Sequence, residues 1–305
     1  MTAIAAPAAR KSPWRWLSVL AFITVTAALL NAASAIEWRR ALHLLTTTNP
    51  AWIAVATAAN FAIILTCAAF WQSILPRGEP RIRFVRMVEI MSVSSSLMNT
   101  LPFGGGHASS VLLLIRRGGT SQRGALSLLA LTQLGEGVSK LLLFLCVAAL
   151  APVPTWMRTA IVSAAFLIAG FILVMVVASH WARELAILRS LKDSAIALGW
   201  VSMTKVVQAL GIYAVQLAFG IDLPVSATLL VLAAIVLGTM VPLAPGNLGT
   251  FEASAFVTYR FVGIAPEQAL SLAIMQHVCF MVPAVGVGYV YLLTHTVTRS
   301  DIASP

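Results

Sequence analysis

Glu136 and Lys140 stand four residues apart within an apolar stretch, a spacing that puts both on one helix face and lets them pair. Lys205 has no partner within its own stretch. It can meet Glu136, Glu252 or a lipid phosphate, or snorkel toward the basic segment at Arg189 and Lys192. An ionisable side chain in hydrocarbon is costly, so each of these groups is a candidate for holding an anion or relaying a proton. The competing reading of Glu136 and Lys140 is an ion pair that locks their helix to a neighbour. Glu252 follows a Pro/Gly break, where its carboxylate can cap exposed N–H groups or couple the movement of protons or substrate. Imidazoles change charge near neutral pH, which makes His107 and His277 candidates for proton handling; for His277 a hydrogen-bonded packing role is the favoured reading. The sequence contains no HExxH run, and Asp193, Asp222 and Asp301 fall in polar connections or the tail. No metal, cofactor or enzymatic activity is therefore expected. Cys67, Cys146 and Cys279 lie far apart in apolar segments without CxxC spacing and read as small packing residues.

The elements that position these side chains have to be membrane helices. Of 305 residues, 59% are hydrophobic and 10% charged, against about 25% charged in ordinary globular domains. Such a chain cannot clothe a water-soluble surface. Apolar runs at 17–36, 51–75, 125–150, 159–179, 195–219 and 268–293 are six candidate crossings, each near the roughly 20 residues a spanning helix needs. Trp14, Trp16, Trp38, Trp52, Trp71, Trp156 and Trp181 fall at or near segment ends, where an indole can sit at headgroup level. The net charge of +10 resides in short connections between apolar runs, which argues for membrane topology and against nucleic acid.

Two further segments, 84–116 and 227–261, are broken in the middle by LPFGGGH and PLAPGNLGTFE. The run after the first break, 108–115, gives only about 12 Å of helix and cannot span alone. With the N-terminus inside and each broken segment a re-entrant hairpin, Arg39, Arg40, Arg158 and Arg260 face outside. Every other Lys or Arg except the intrahelical Lys140 and Lys205 then faces the cytoplasm, as topology rules require. A crossing at 84–116 would instead split the clusters Arg77–Arg86 and Arg116–Arg123 between compartments. The two broken segments also resemble each other. Ala125-Leu126-Ser127-Leu128 recurs as Ala269-Leu270-Ser271-Leu272, and Pro102 with Gly106 aligns with Pro245 and Gly249 after a one-residue gap. The units, about 84–150 and 227–293, would enter from opposite faces, as in inverted-repeat transporters. Breaks at mid-depth are tolerated where they face protein or a watery cavity, and the helix N-termini they create suit a phosphate or carboxylate. The alternative for Gly104-Gly105-Gly106 is a tight turn between packed helices; it lacks the Lys-Ser/Thr ending of a P-loop. Ser92, Ser94, Ser95, Ser96, Asn99 and Thr100 make the first half-helix polar, as a cavity wall or close helix packing would, and Glu89 is expected to pair with Arg86.

Pro245-Gly246-Asn247-Leu248-Gly249-Thr250-Phe251-Glu252 resembles the second-half motif of the flippase-like family that shares the transmembrane region of lysylphosphatidylglycerol synthases. Pro102 and Gly106 resemble the corresponding first-half motif, with His107 where the family usually has Glu and Ser110 in place of a usual Arg. Thr132-Gln133 stand for a Glu-Arg pair, and Glu136 falls where an Asp is usual. The resemblance runs from about Leu17 to Leu293.

What it implies is an all-α polytopic bundle with a cytoplasmic tail at 1–16, one transmembrane domain at 17–293 and a tail at 294–305, without the aminoacyl-transferase domain of full synthases. The expected function is translocation of a lipid or lipid-linked headgroup, such as an anionic or aminoacylated phospholipid, in the bacterial inner membrane with both termini cytoplasmic. Pro102, Gly106, His107, Glu136, Lys140, Lys205, Pro245, Gly246, Gly249, Glu252 and His277 are the candidate site. Membrane lipids are the expected partners, with a separate lipid-modifying synthase or a second copy of the chain as further candidates. The alternatives are an integral-membrane enzyme acting on a lipid and a non-transporting partner of such a synthase.

Overall fold

The computed structural model describes residues 37–101, 105–182, 191–240 and 244–294. The expected first crossing at 17–36, Pro102, Arg183, Arg189 and both tails lie outside these residues. Everything described folds as helix or short connection. The order is α1 (Trp38–Thr46), α2 (Pro50–Ser73), α3 (Phe84–Thr100), α4 (Gly105–Gly118), α5 (Gln122–Leu150), α6 (Thr155–Ala182), α7 (Leu191–Ala218), α8 (Val225–Gly238), a 3-10 turn (Pro245–Asn247), α9 (Thr250–Phe261) and α10 (Pro266–Thr294). The nine-residue α1 was not among the expected elements. It docks on α10 where Ser271 Oγ donates to the Ala41 carbonyl, 3.0 Å.

Local sequence sets the boundaries. Asn49 caps α2 by accepting the Ala51 N–H, with Pro50 at the first helical position. Ser121 caps α5 through the Gly124 N–H. Leu101 is extended (φ −88°, ψ 133°), as a residue before proline tends to be, and this ends α3. At the second break Gly246 (φ 61°), Asn247 (φ 57°) and Gly249 (φ 85°) occupy left-handed backbone, a conformation open to Gly and tolerated by Asn. The chain unwinds there and restarts as α9.

Among the described residues, five helices are long and apolar enough to cross a membrane: α2, α5, α6 through Met157–Val174, α7 through Lys192–Ala218, and α10. Between 22% and 44% of the most apolar window in each is buried inside the protein, so most of that surface needs lipid. Phe166, Leu167, Leu173 and Leu293 project from this outer belt. The chain is a multi-pass helical membrane protein. Among the described residues, Trp71 departs from the expected headgroup position and is buried in the core with Phe70, Ile74 and Met87.

The antiparallel pair α2/α7 is the frame. Asn49 N–H donates to the Ala218 carbonyl at one end (2.9 Å), Arg77 pairs with Asp193 at the other (3.0 Å), and Thr204 Oγ1 donates to Thr66 Oγ1 between them. The first broken segment opens at the Arg77 end. There Glu79, ahead of α3, accepts the N–H of Ser121, which follows α4 (2.8 Å). The second opens at the Ala218 end. Thr228 at the start of α8 donates to Gln216 of α7, whose amide donates to the hydroxyl of Tyr259 near the end of α9. Each broken segment therefore turns back on itself, and the two open at opposite ends of α2/α7. Their tips meet: a Cβ on Gly246 would stand 3.3 Å from the Asn99 carbonyl at the end of α3.

Small residues allow this interlock. A Cβ on Gly106 would come within 2.3 Å of Met98 Cα, and one on Gly288 within 2.3 Å of the Ser92 carbonyl. Ser96 Oγ donates to the Val285 carbonyl (2.6 Å), tying α3 to α10. Close backbone approach and interhelical hydroxyl bonds replace the hydrophobic drive that lipid removes.

Candidate functional site

Glu136 on α5 and Lys205 on α7 meet across the helices, with Lys205 Nζ donating to Glu136 Oε2 at 3.2 Å. Lys140, one turn along α5, stands 4.0 Å from the same oxygen. One carboxylate thus serves two ammonium groups, and Lys205 is held in the bundle rather than snorkelling. The Lys205 side chain is 11% exposed and that of Lys140 29%. Both lysines line a cavity of about 170 Å³ between α2, α5, α7, α8 and α10, closed at one side by Asn247 and Phe251 of the second break. Asn60, Gln208 and Gln276 supply further polar lining, and among the described residues no carboxylate belongs to it. Gln208, Asn247 and Gln276 each keep a buried amide oxygen without a hydrogen-bond partner among the described residues.

Directly behind this wall lies a second cluster. His277 on α10 is 3% exposed; its Nε2 faces the Gly246 carbonyl at 2.9 Å and its Nδ1 faces Glu252 Oε1 at 2.7 Å. Phe251 stacks on the imidazole, centroids 4.4 Å apart and planes 12° from parallel. The other Glu252 oxygen accepts the Gly249 N–H at 2.8 Å, so the carboxyl group caps α9 and clasps the histidine together. A carbonyl oxygen only accepts, so Nε2 carries a proton. The contact between Nδ1 and Oε1 then holds one more, on whichever atom. The pair is net neutral in either form. Below it Gln276 and Gln216 both reach the Tyr259 hydroxyl.

The remaining sequence candidates are arranged differently. Gly246 and Gly249 give the backbone its left-handed turns, whereas Pro245 is an exposed first residue of the 3-10 turn. Gly106 is buried against Met98 and shapes the first tip by close packing. His107 is exposed and joins neither cluster among the described residues. Glu89 pairs with Arg86 (2.8 Å) as expected and also accepts from Tyr291 (2.9 Å). Asn60, Gln208, Asn247 and Gln276 were missed from sequence. Their signal was a lone amide in an otherwise apolar helix or beside a break, which lipid cannot satisfy.

Comparison with known families bears on this arrangement. The family model for the lysylphosphatidylglycerol synthase transmembrane region matches residues 15–288. The chain belongs to that family. The match takes in both broken segments, both polar clusters and nearly all of α10, so the resemblance carried by the Pro245–Glu252 motif holds for the whole bundle. A search of curated proteins finds no match. Membership in the lysylphosphatidylglycerol synthase transmembrane-region family relates the chain to lipid modification or flipping.

Proposed function

We propose that this protein translocates a lipid headgroup across the bacterial inner membrane, without itself carrying out catalysis. The observation that carries this reading is the cavity bearing Lys140 and Lys205, set inside a lipid-facing bundle where the second broken helix contributes Asn247 and Phe251 to the wall. A headgroup can shed water there against ammonium and amide groups while its acyl chains stay in hydrocarbon. The broken segments act as re-entrant hairpins related as an inverted repeat, with units near 84–150 and 227–293 inside one domain at 17–293. Their openings at opposite ends of α2/α7 support alternating access. The Arg77–Arg86 and Arg116–Arg123 clusters at the first opening support a cytoplasmic position for that end, and with it for both termini. Membrane lipids are the partners; a separate lipid-modifying synthase is the candidate supplier of substrate.

The test is reconstitution into proteoliposomes with fluorescent anionic, zwitterionic and lysylated phospholipids. Translocation of at least one class above protein-free vesicles is the expected result. Headgroup turnover without translocation would assign an enzyme instead, and neither activity would favour the non-transporting partner of a synthase.

A further inference from the structure

The translocation reading leaves the headgroup open, and the charge inventory of the cavity narrows it. Among the described residues, two ammonium groups line the cavity and no carboxylate does. Glu136 is the nearest acid, and it is already shared by Lys205 at 3.2 Å and Lys140 at 4.0 Å. Glu252, beyond Phe251, is engaged on one oxygen by the Gly249 N–H and on the other by His277, a pair that is neutral overall. The three lysine-site groups leave one positive charge uncompensated. An aminoacylated headgroup would bring additional ammonium groups to a wall that has no free carboxylate to receive them, and like charges in a poorly solvated site repel strongly. A phosphodiester brings the single negative charge that is missing. The lining further carries amides whose oxygens are unpartnered on Gln208, Asn247 and Gln276, the last of them 3% exposed. Such groups are matched by hydroxyl donors and gain nothing from an apolar or methylated headgroup.

We infer that the cavity formed by Lys140, Lys205, Gln208, Asn247 and Gln276 selects a singly anionic, hydroxyl-bearing phosphodiester headgroup, that of an anionic glycerophospholipid, over an aminoacylated or zwitterionic one. The inference rests on the translocation reading for its biological setting but not for its test. Binding is measured on the detergent-solubilised full chain with short-chain phosphatidylglycerol, lysyl-phosphatidylglycerol and phosphatidylcholine as probes. The expected order is phosphatidylglycerol tightest, by about tenfold or more over the other two, the size of one charge-assisted hydrogen bond. Lys205→Gln neutralises the site and abolishes the preference. The double change Glu136→Gln with Lys205→Gln restores a net positive cavity through Lys140 and recovers it. The inference is overturned by equal or tighter binding of lysyl-phosphatidylglycerol, or by a preference that survives Lys205→Gln. It is equally overturned if the double variant, folded by size-exclusion chromatography, binds all three probes alike. Because no transport step enters the binding measurement, its outcome stands apart from what proteoliposomes show.

Discussion

Glu136 is a hub whose loss and whose partners' loss differ in kind. Removing Lys205 leaves the carboxylate with only the longer contact to Lys140, and breaking a poorly solvated pair exposes an uncompensated charge. Lys205→Met is therefore expected to lower the detergent melting temperature, and Glu136→Gln with Lys205→Met to recover part of the loss. A double-mutant cycle on thermal unfolding should return a coupling of about 1–3 kcal/mol, and additive single effects would remove the pair from the account. At the second cluster Glu252→Gln keeps an oxygen for the Gly249 N–H and an NH2 for a neutral His277 Nδ1, whereas Glu252→Ala loses both bonds. Alanine should cost about 2 kcal/mol while glutamine stays near wild type, as read by unfolding in detergent. Some of this was legible in the chain: the spacing of Glu136 and Lys140 needs only helical geometry. The Glu136–Lys205 contact joins residues 69 apart in sequence, and no local pattern encodes which faces of α5 and α7 meet. The same holds for Asn60 and Gln276, which share a cavity only because α2 and α10 flank it.

At the scale of helices, the breaks were the clearest signal, because Pro and Gly act on the backbone before any packing exists. The expected crossings at 51–75, 125–150, 159–179, 195–219 and 268–293 correspond to α2, α5, α6, α7 and α10 within a few residues at most boundaries. What the chain did not disclose was α1, too short to register against neighbouring apolar runs, and the inward placement of Trp71. Hydropathy says that an indole is apolar, not which side of the helix finds a partner. The interlock of α3, α4 and α10 depends on Gly106 and Gly288, while Gly286, two residues from Gly288 on α10, has nothing within 4 Å of a built Cβ. Gly288→Ala has to push against the Ser92 carbonyl and Ser96 Oγ and should destabilise by about 1–3 kcal/mol. Gly286→Ala should be neutral or stabilising by up to about 1 kcal/mol through helix propensity. Equal melting temperatures for the two variants would mean that α10 does not pack on α3 this closely.

For the molecule as a whole, topology and transport are the claims at stake. In a background with Cys67, Cys146 and Cys279 replaced, a cysteine at Gln122 lies at the opening of the first broken segment. One at Pro152 or Ala265 lies at the other end of the bundle. An impermeant thiol reagent added outside intact cells should label Pro152→Cys and Ala265→Cys and spare Gln122→Cys; labelling of all three from outside would discard the inverted arrangement. The central claim is that a headgroup passes through the cavity walled by Lys140 and Lys205. Its most direct test is the rate of fluorescent phospholipid translocation in proteoliposomes for the wild type and for the charge-free set Glu136→Gln, Lys140→Gln and Lys205→Gln, which leaves no ion unpaired. A folded charge-free variant that has lost translocation is the predicted result; wild-type translocation by that variant would contradict the account.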